Sequence, residues 1–231
     1  MGLALALIAY VAYAIFVGRV GRRIFSLWRA GPGSRENVLS SSRTVWNTIR
    51  LLVKAMVDIF SLSRLFRVDR RLWTGEWVFH CTFRLVMLRH LRCVADPLPK
   101  RIGTIRPIGV CAGHVLVFAL LFICVCKLLI ERKSYLLSYN FSLLGVLFLI
   151  SMSGILMSVV TKPDLSVIKS FMMGVFTFKP HLAPGSPLFL VHFLLAMLFS
   201  ACLPTHIFAA PFSTIDARRR EKGLRLVMHE K

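Results

Sequence analysis

Apolar residues come in long blocks along this chain, and the blocks have the length of membrane spans. A bilayer core about 30 Å thick takes about 20 helical residues to cross. Residues 1–18 carry no charge, and residues 107–126 read "PIGVCAGHVLVFALLFICVC". Residues 134–160 form another block, and residues 187–212, "PLFLVHFLLAMLFSACLPTHIFAAPF", form the last, interrupted by Pro204. A further stretch, residues 72–92, has the right length but carries Glu76, His80, Arg84, Arg89, His90 and Arg92. Counted together, these blocks predict an all-α membrane protein with five transmembrane helices. Residues 43–60, "RTVWNTIRLLVKAMVDIF", show a different pattern. Val45, Ile49, Leu52, Met56 and Ile59 share one helical face, and Asn47, Arg50, Lys54 and Asp58 share another. That period predicts an amphipathic helix in the first loop, lying in the membrane interface or docking a cytoplasmic subunit. The organisation expected is therefore a first span at 1–18, a basic loop at 19–71, and a four-helix domain with a tail at 72–231.

Composition supports the membrane class. The 231 residues are 56% hydrophobic and 17% charged, with a mean hydropathy of +0.69. A soluble domain carries roughly a quarter charged residues. Residues 1–18 lack the basic leading segment of a secretory signal and are read as a retained helix. The net charge of +20 lies mostly in loops. Residues 19–71 hold 12 Lys and Arg, residues 127–137 hold 3, and residues 211–231 hold 6. Residues 92–106 hold 4, and residues 161–186 hold 3. The three richer segments fall on one face only if residues 72–92 cross the membrane. The positive-inside rule makes that face cytoplasmic, with the N-terminus periplasmic and the C-terminus cytoplasmic. Anionic lipid headgroups are the partner this charge suits. No basic stretch comes with a nucleic-acid-binding pattern, so nucleic acid is not an expected partner. The six cysteines form no C-x-x-C pair, which argues against a covalent haem, a zinc ribbon or an iron–sulfur ligand run, and they read as small apolar fillers.

Ionisable residues within spans are costly and mark functional sites. Four of the seven histidines lie in spans at matched depths: His80 and His90 on the second, His192 and His206 on the fifth. These spans run in opposite directions, so His90 falls level with His192 near the outside, and His80 with His206 near the cytoplasm. At 100° per residue, the fourteen residues from His192 to His206 return to within about 40° of the same face. Two stacked imidazole pairs between antiparallel helices describe a bundle holding two bis-histidine b haems. Zinc is a poorer fit, because each pair offers two ligands and no carboxylate or thiolate stands by to complete four. Arg84, Arg89 and Arg92 are candidates to meet the haem propionates, since guanidinium groups present paired donors to carboxylates. Snorkelling to the interface is their other reading. Glu76 has two readings, as a partner of Arg84 or as an interfacial residue. His114 lies near the outer start of the third span.

These residues resemble a known family, the gamma subunit of respiratory nitrate reductase and related membrane cytochromes b. Within it the chain looks most like the membrane subunits of sulfate-reducer electron-transfer complexes, of the high-molecular-weight cytochrome c and sulfite-reduction-linked types. The resemblance covers about residues 72–231 and rests on "FHCTFRLVMLRH", "GVFTFKPH" and "LVHFLLAMLFSACLPTHIFAAP". The ten-residue spacing of His80 and His90 is the family's, as is a proline twelve residues after His192. His206 departs from the pattern, because it follows Pro204 by two residues where the family's histidine comes about one turn later. The resemblance implies an electron-transfer subunit of a bacterial inner-membrane respiratory complex, with other integral membrane subunits. It would link a cytoplasmic iron–sulfur protein to menaquinol or a periplasmic multihaem cytochrome c. It also implies that Arg101, Arg106 and His114 lie close to the outer haem, where a menaquinone would bind. A transporter is the competing class and predicts inverted repeats with paired broken helices. Only the fifth span is broken. A structural membrane subunit with non-ligating histidines is the remaining alternative.

Overall fold

The computed structural model describes residues 1–29, 60–94, 106–130 and 137–203, with isolated positions between 50 and 58. The described residues are helical apart from turns and short irregular connections, the longest at residues 179–186. Helix α1 spans Gly2–Arg29, α2 Ser63–Val68, α3 Arg70–His90, α4 Arg106–Ile130, α5 Leu137–Leu156, α6 Leu165–Phe176 and α7 Pro187–Cys202. The chain falls into two units, one of residues 1–16 and 69–203, the other of residues 17–68 and 204–231. Among the described residues, three helical stretches are long and apolar enough to cross a membrane: Gly2–Ser26, Pro107–Leu129 and Phe141–Thr161. Helices α6 and α7 are apolar but shorter. The protein is a multi-pass membrane protein. Helix α3 does not reach the same apolarity, because the charged residues noted above lie along it.

The helix limits follow from local chemistry. Asp69 caps α3, its carboxylate accepting from the amides of Arg71 at 2.8 Å and Leu72 at 3.0 Å. After His90 the chain tightens into a 3-10 turn, Leu91–Cys93. Ser186 caps α7, with Pro187 at the first helical position where its missing amide costs nothing. At the other end Leu203 turns extended, with ψ of 129°, as a residue before proline must. Pro204 therefore ends the helix, as its position in the last apolar block suggests.

Two elements differ from expectation. Helix α1 runs on to Arg29, well past residue 18, because the first charge, Arg19, ends the apolar block without ending the helix. The segment 161–186 was expected as a loop but contains α6. Asp164 caps it, accepting from the amide and hydroxyl of Ser166 at 2.8 Å each. Those two bonds, the amide first, hold the Asp164 carboxyl below its usual range. Its capping contribution is thus complete above ordinary carboxylate pKa values and fades only as pH falls through the lowered one. Of the amphipathic segment 43–60, the described positions Arg50, Val53, Met56, Val57 and Phe60 are helical and exposed, Asp58 is helical and half-buried, and the rest lies outside the described residues.

In the first unit, α3 packs along α4, α4 on α5, and α5 on α7. Leu116, Leu120 and Leu147 form one core, covered by Phe79, Phe83, Phe148 and Phe199. Leu5, Ala9, Ile168, Phe171, Phe189 and Phe193 form another, joining α1, α6 and α7. Helix α6 also rests on the turn after His90. The α3–α4 contact is close at Gly75, where an added Cβ would meet Phe122 Cδ1 at 2.7 Å. Gly75→Val is expected to lower the thermal midpoint of the purified protein, since overpacking of this kind costs about 1–3 kcal/mol. A midpoint equal to wild type would contradict the close packing.

Candidate ligand site at His90 and His192

His90 stands at the end of α3 and His192 in the second turn of α7. Their ring centres are 6.1 Å apart, and their planes lie within 9° of parallel. Yet α3 and α7 are not among the closely packed helix pairs. The two rings nonetheless come side by side.

The hydrogen bonds fix which nitrogen of each ring is free. His90 Nδ1 donates to the Val86 carbonyl at 2.8 Å, one turn back on its own helix. His80 does the same to Glu76 at 2.6 Å, and His114 to Val110 at 2.9 Å. A carbonyl can only accept, so these bonds put the proton on Nδ1 and leave a lone pair on Nε2. His192 differs, because its Nδ1 bonds to another helix. It lies 3.1 Å from the Ile150 carbonyl and 3.0 Å from Ser153 Oγ, both on α5. Ser153 in turn donates its hydroxyl proton to Ile150 at 2.9 Å. With that proton committed, His192 Nδ1–H is the donor and Ser153 Oγ an acceptor. Gly154 makes the approach possible, since a Cβ there would lie 3.2 Å from His192 Cε1.

Both rings thus present Nε2 with the opposite nitrogen anchored, which is the usual arrangement of a metal-binding histidine. Two imidazoles on opposite sides of one metal ion have ring centres about 6 Å apart, from about 2 Å per metal–nitrogen bond and about 1 Å from nitrogen to ring centre. The observed spacing fits. No group of three or more potential ligands occurs among the described residues, so a metal held by protein alone is not supported there. An iron carried by a cofactor would need only two protein ligands, and His90 and His192 would be the residues to hold it.

The remaining candidates lie as follows. Arg89 is half-buried, its aliphatic stem laid over Gly109 of α4 at 3.0–3.4 Å from where a Cβ would stand. Arg92 is half-buried in the turn beside Cys93, and Arg84 is exposed. Glu76 pairs with Lys127 of α4 at 3.2 Å, a partner that neither of its two readings named, and both side chains are mostly buried. Lys127 was counted only as a loop charge in the sequence, though its place on the last turns of a span gave the signal. Ser153 and Gly154 were also missed. Their signal was a small polar residue in the apolar run "LISMSGIL". All six cysteines are free. Cys93 packs against the core that joins α1, α6 and α7, and burial pushes its thiol pKa up despite the nearby Arg92 and Arg89.

His80 is half-buried, but its expected partner His206 lies outside the described residues, as do Arg101 and the side chain of Arg106. The angular argument for His206 assumed one continuous helix from His192. Helix α7 stops at Cys202, so that argument does not reach His206.

The chain is a distant homologue of membrane cytochrome b-like proteins. It is 28% identical over 194 residues to the Hdr-like menaquinol oxidoreductase cytochrome b-like subunit of Archaeoglobus profundus, covering 73% of this chain and 58% of that protein. It is 32% identical over 163 residues to the protein of the same name from Archaeoglobus fulgidus, covering 63% of this chain and 49% of that one. The chain thus spans about half the length of the curated relatives it matches. No protein-family model matches, and no solved structure does.

Nitrogen-15 NMR of the labelled protein in bilayers is expected to show His90 and His192 as Nδ1–H tautomers, each with an unprotonated Nε2. An Nε2–H tautomer at either ring would contradict the bonding described.

Proposed function

We propose that this chain is a dihaem cytochrome b subunit of a membrane respiratory complex, carrying electrons across a cytoplasmic membrane. The observation that carries the reading is the His90–His192 pair: Nδ1 of each ring bonded to an oxygen, rings parallel and centres 6.1 Å apart, on two different helices. The cytochrome b-like relatives support it. Haem b supplies reversible one-electron transfer when bound, and the chain's part is to hold, orient and tune it. His90 and His192 are the ligands at the outer site. His80 and His206 are the ligands at a cytoplasmic-side site, His80 already presenting a free Nε2. Arg89, Arg92 and Arg84 meet the propionates, Arg89 being held in place over Gly109.

The protein crosses the membrane five times, α3 included, with the N-terminus outside. Its charged face is turned toward cofactors and α4, and the Glu76–Lys127 pair removes two charges from the lipid-facing surface. Menaquinol is the outer donor, the substrate class in the names of the relatives. Arg101, Arg106 and His114 lie beside the outer haem for it, and His114 is exposed there. A periplasmic multihaem cytochrome c is the alternative outer partner. A cytoplasmic iron–sulfur protein is the partner on the other side, and other membrane subunits complete the complex. The chain itself breaks no substrate bond.

The test is the spectrum of the complex purified from membranes through a tag on this chain. A b-type α band on dithionite reduction is expected, with two haems per chain. His90→Ala and His192→Ala are each expected to lose one haem, the same one. A colourless protein, or two haems retained in either variant, would overturn the reading.

A further inference from the structure

Ser153 lies in the last turn of α5, a helix whose other buried side chain among the described residues is the apolar Leu147, and it is only 6% exposed. A hydroxyl in that setting is retained only where its hydrogen bonds are met. Its bonds are met by one neighbouring group and one ring: it donates to the Ile150 carbonyl and accepts from His192 Nδ1–H. Of the four helix histidines described, His80, His90 and His114 each spend Nδ1–H on a carbonyl of their own helix. His192 alone among them is anchored from another helix, and it has two acceptors on the same proton. The Ile150 carbonyl belongs to the backbone and would be present with any side chain at 153. The hydroxyl is the part that this sequence chooses.

We propose that Ser153 is the positioning residue for His192, and that its hydroxyl makes Nε2 of that ring a stronger electron donor toward a bound iron. This rests on the haem reading above. A hydrogen bond accepted from Nδ1–H draws that proton away from the ring and raises the basicity of the opposite nitrogen. An electron-rich axial ligand favours the ferric state, so Ser153 lowers the potential of the outer haem. Gly154, directly after it, keeps the space beside His192 Cε1 free, so the ring can settle against the hydroxyl without obstruction.

The experiment is a redox titration of the complex carrying Ser153→Ala or Ser153→Thr, with electron paramagnetic resonance of the ferric state. Outer-sphere partners of metal-bound histidines are typically worth about 10-fold or more in affinity or activity. Ser153→Ala is therefore expected to raise the ferrous to ferric ratio of one haem about 10-fold at fixed potential, a shift of about 59 mV for one electron. The g values of that haem should change, while those of the other stay put. Ser153→Thr, which keeps the hydroxyl, should restore both. If Ser153→Ala does not assemble, Ser153→Cys replaces it, because a thiol is a weak acceptor of nearly the same size. An unmoved potential and unmoved g values in a protein whose haem still depends on His192 would overturn this inference alone. A wild-type protein without haem would overturn the underlying reading as well.

Discussion

Inside a bilayer no water is available to satisfy a polar group, so each one must find its partner within the protein. The four helix histidines obey that constraint in one consistent way. Each gives its Nδ1 proton to an oxygen of the helix backbone, supplemented at His192 by a hydroxyl. What is left on every ring is a lone pair on Nε2, which can accept a hydrogen bond or be donated to a metal ion.

Packing then decides which lone pairs meet. Helices α3 and α4 lie close because Gly75 lets Phe122 and Ile123 approach the α3 backbone. The Glu76–Lys127 pair bridges the same two helices. Helices α5 and α7 are joined by the bonds from His192 and by neighbouring apolar contacts. The closest packing runs α3 to α4 to α5 to α7, so the two helices that carry His90 and His192 lie at its ends. The two rings still come within 6.1 Å of each other.

Much of this was legible in the sequence because lipid makes the hydrophobic pattern strict. The long apolar blocks and the matching positions of His90 and His192 follow from counting residues along helices, whereas the end of α7 at Cys202 does not follow from a span counted to residue 212. Three things were not legible. Helix α6 is short and partly buried against protein, so its apolar residues do not mark a span, and its charge led it to be read as loop. The partner of Glu76 depends on how α3 turns against α4, which spacing along one helix does not give. Ser153 needed the cross-helix geometry, because both it and Ser151 donate back to their own helix, and only Ser153 also meets a ring from α7.

The anchoring of the rings also separates two kinds of information. His90 is oriented entirely within α3, and His192 entirely within the α5–α7 hairpin. Neither tautomer depends on the other half being in place. Only the distance between the rings depends on how the α3–α4 and α5–α7 hairpins come together. Each hairpin can thus arrive with its ligand ready, and a group that bridges the two rings would act as a clasp between preformed halves. In such a scheme the cofactor reports on the joining of the hairpins, and a protein that has folded each hairpin correctly but joined them loosely would lose the clasp before it lost any helix.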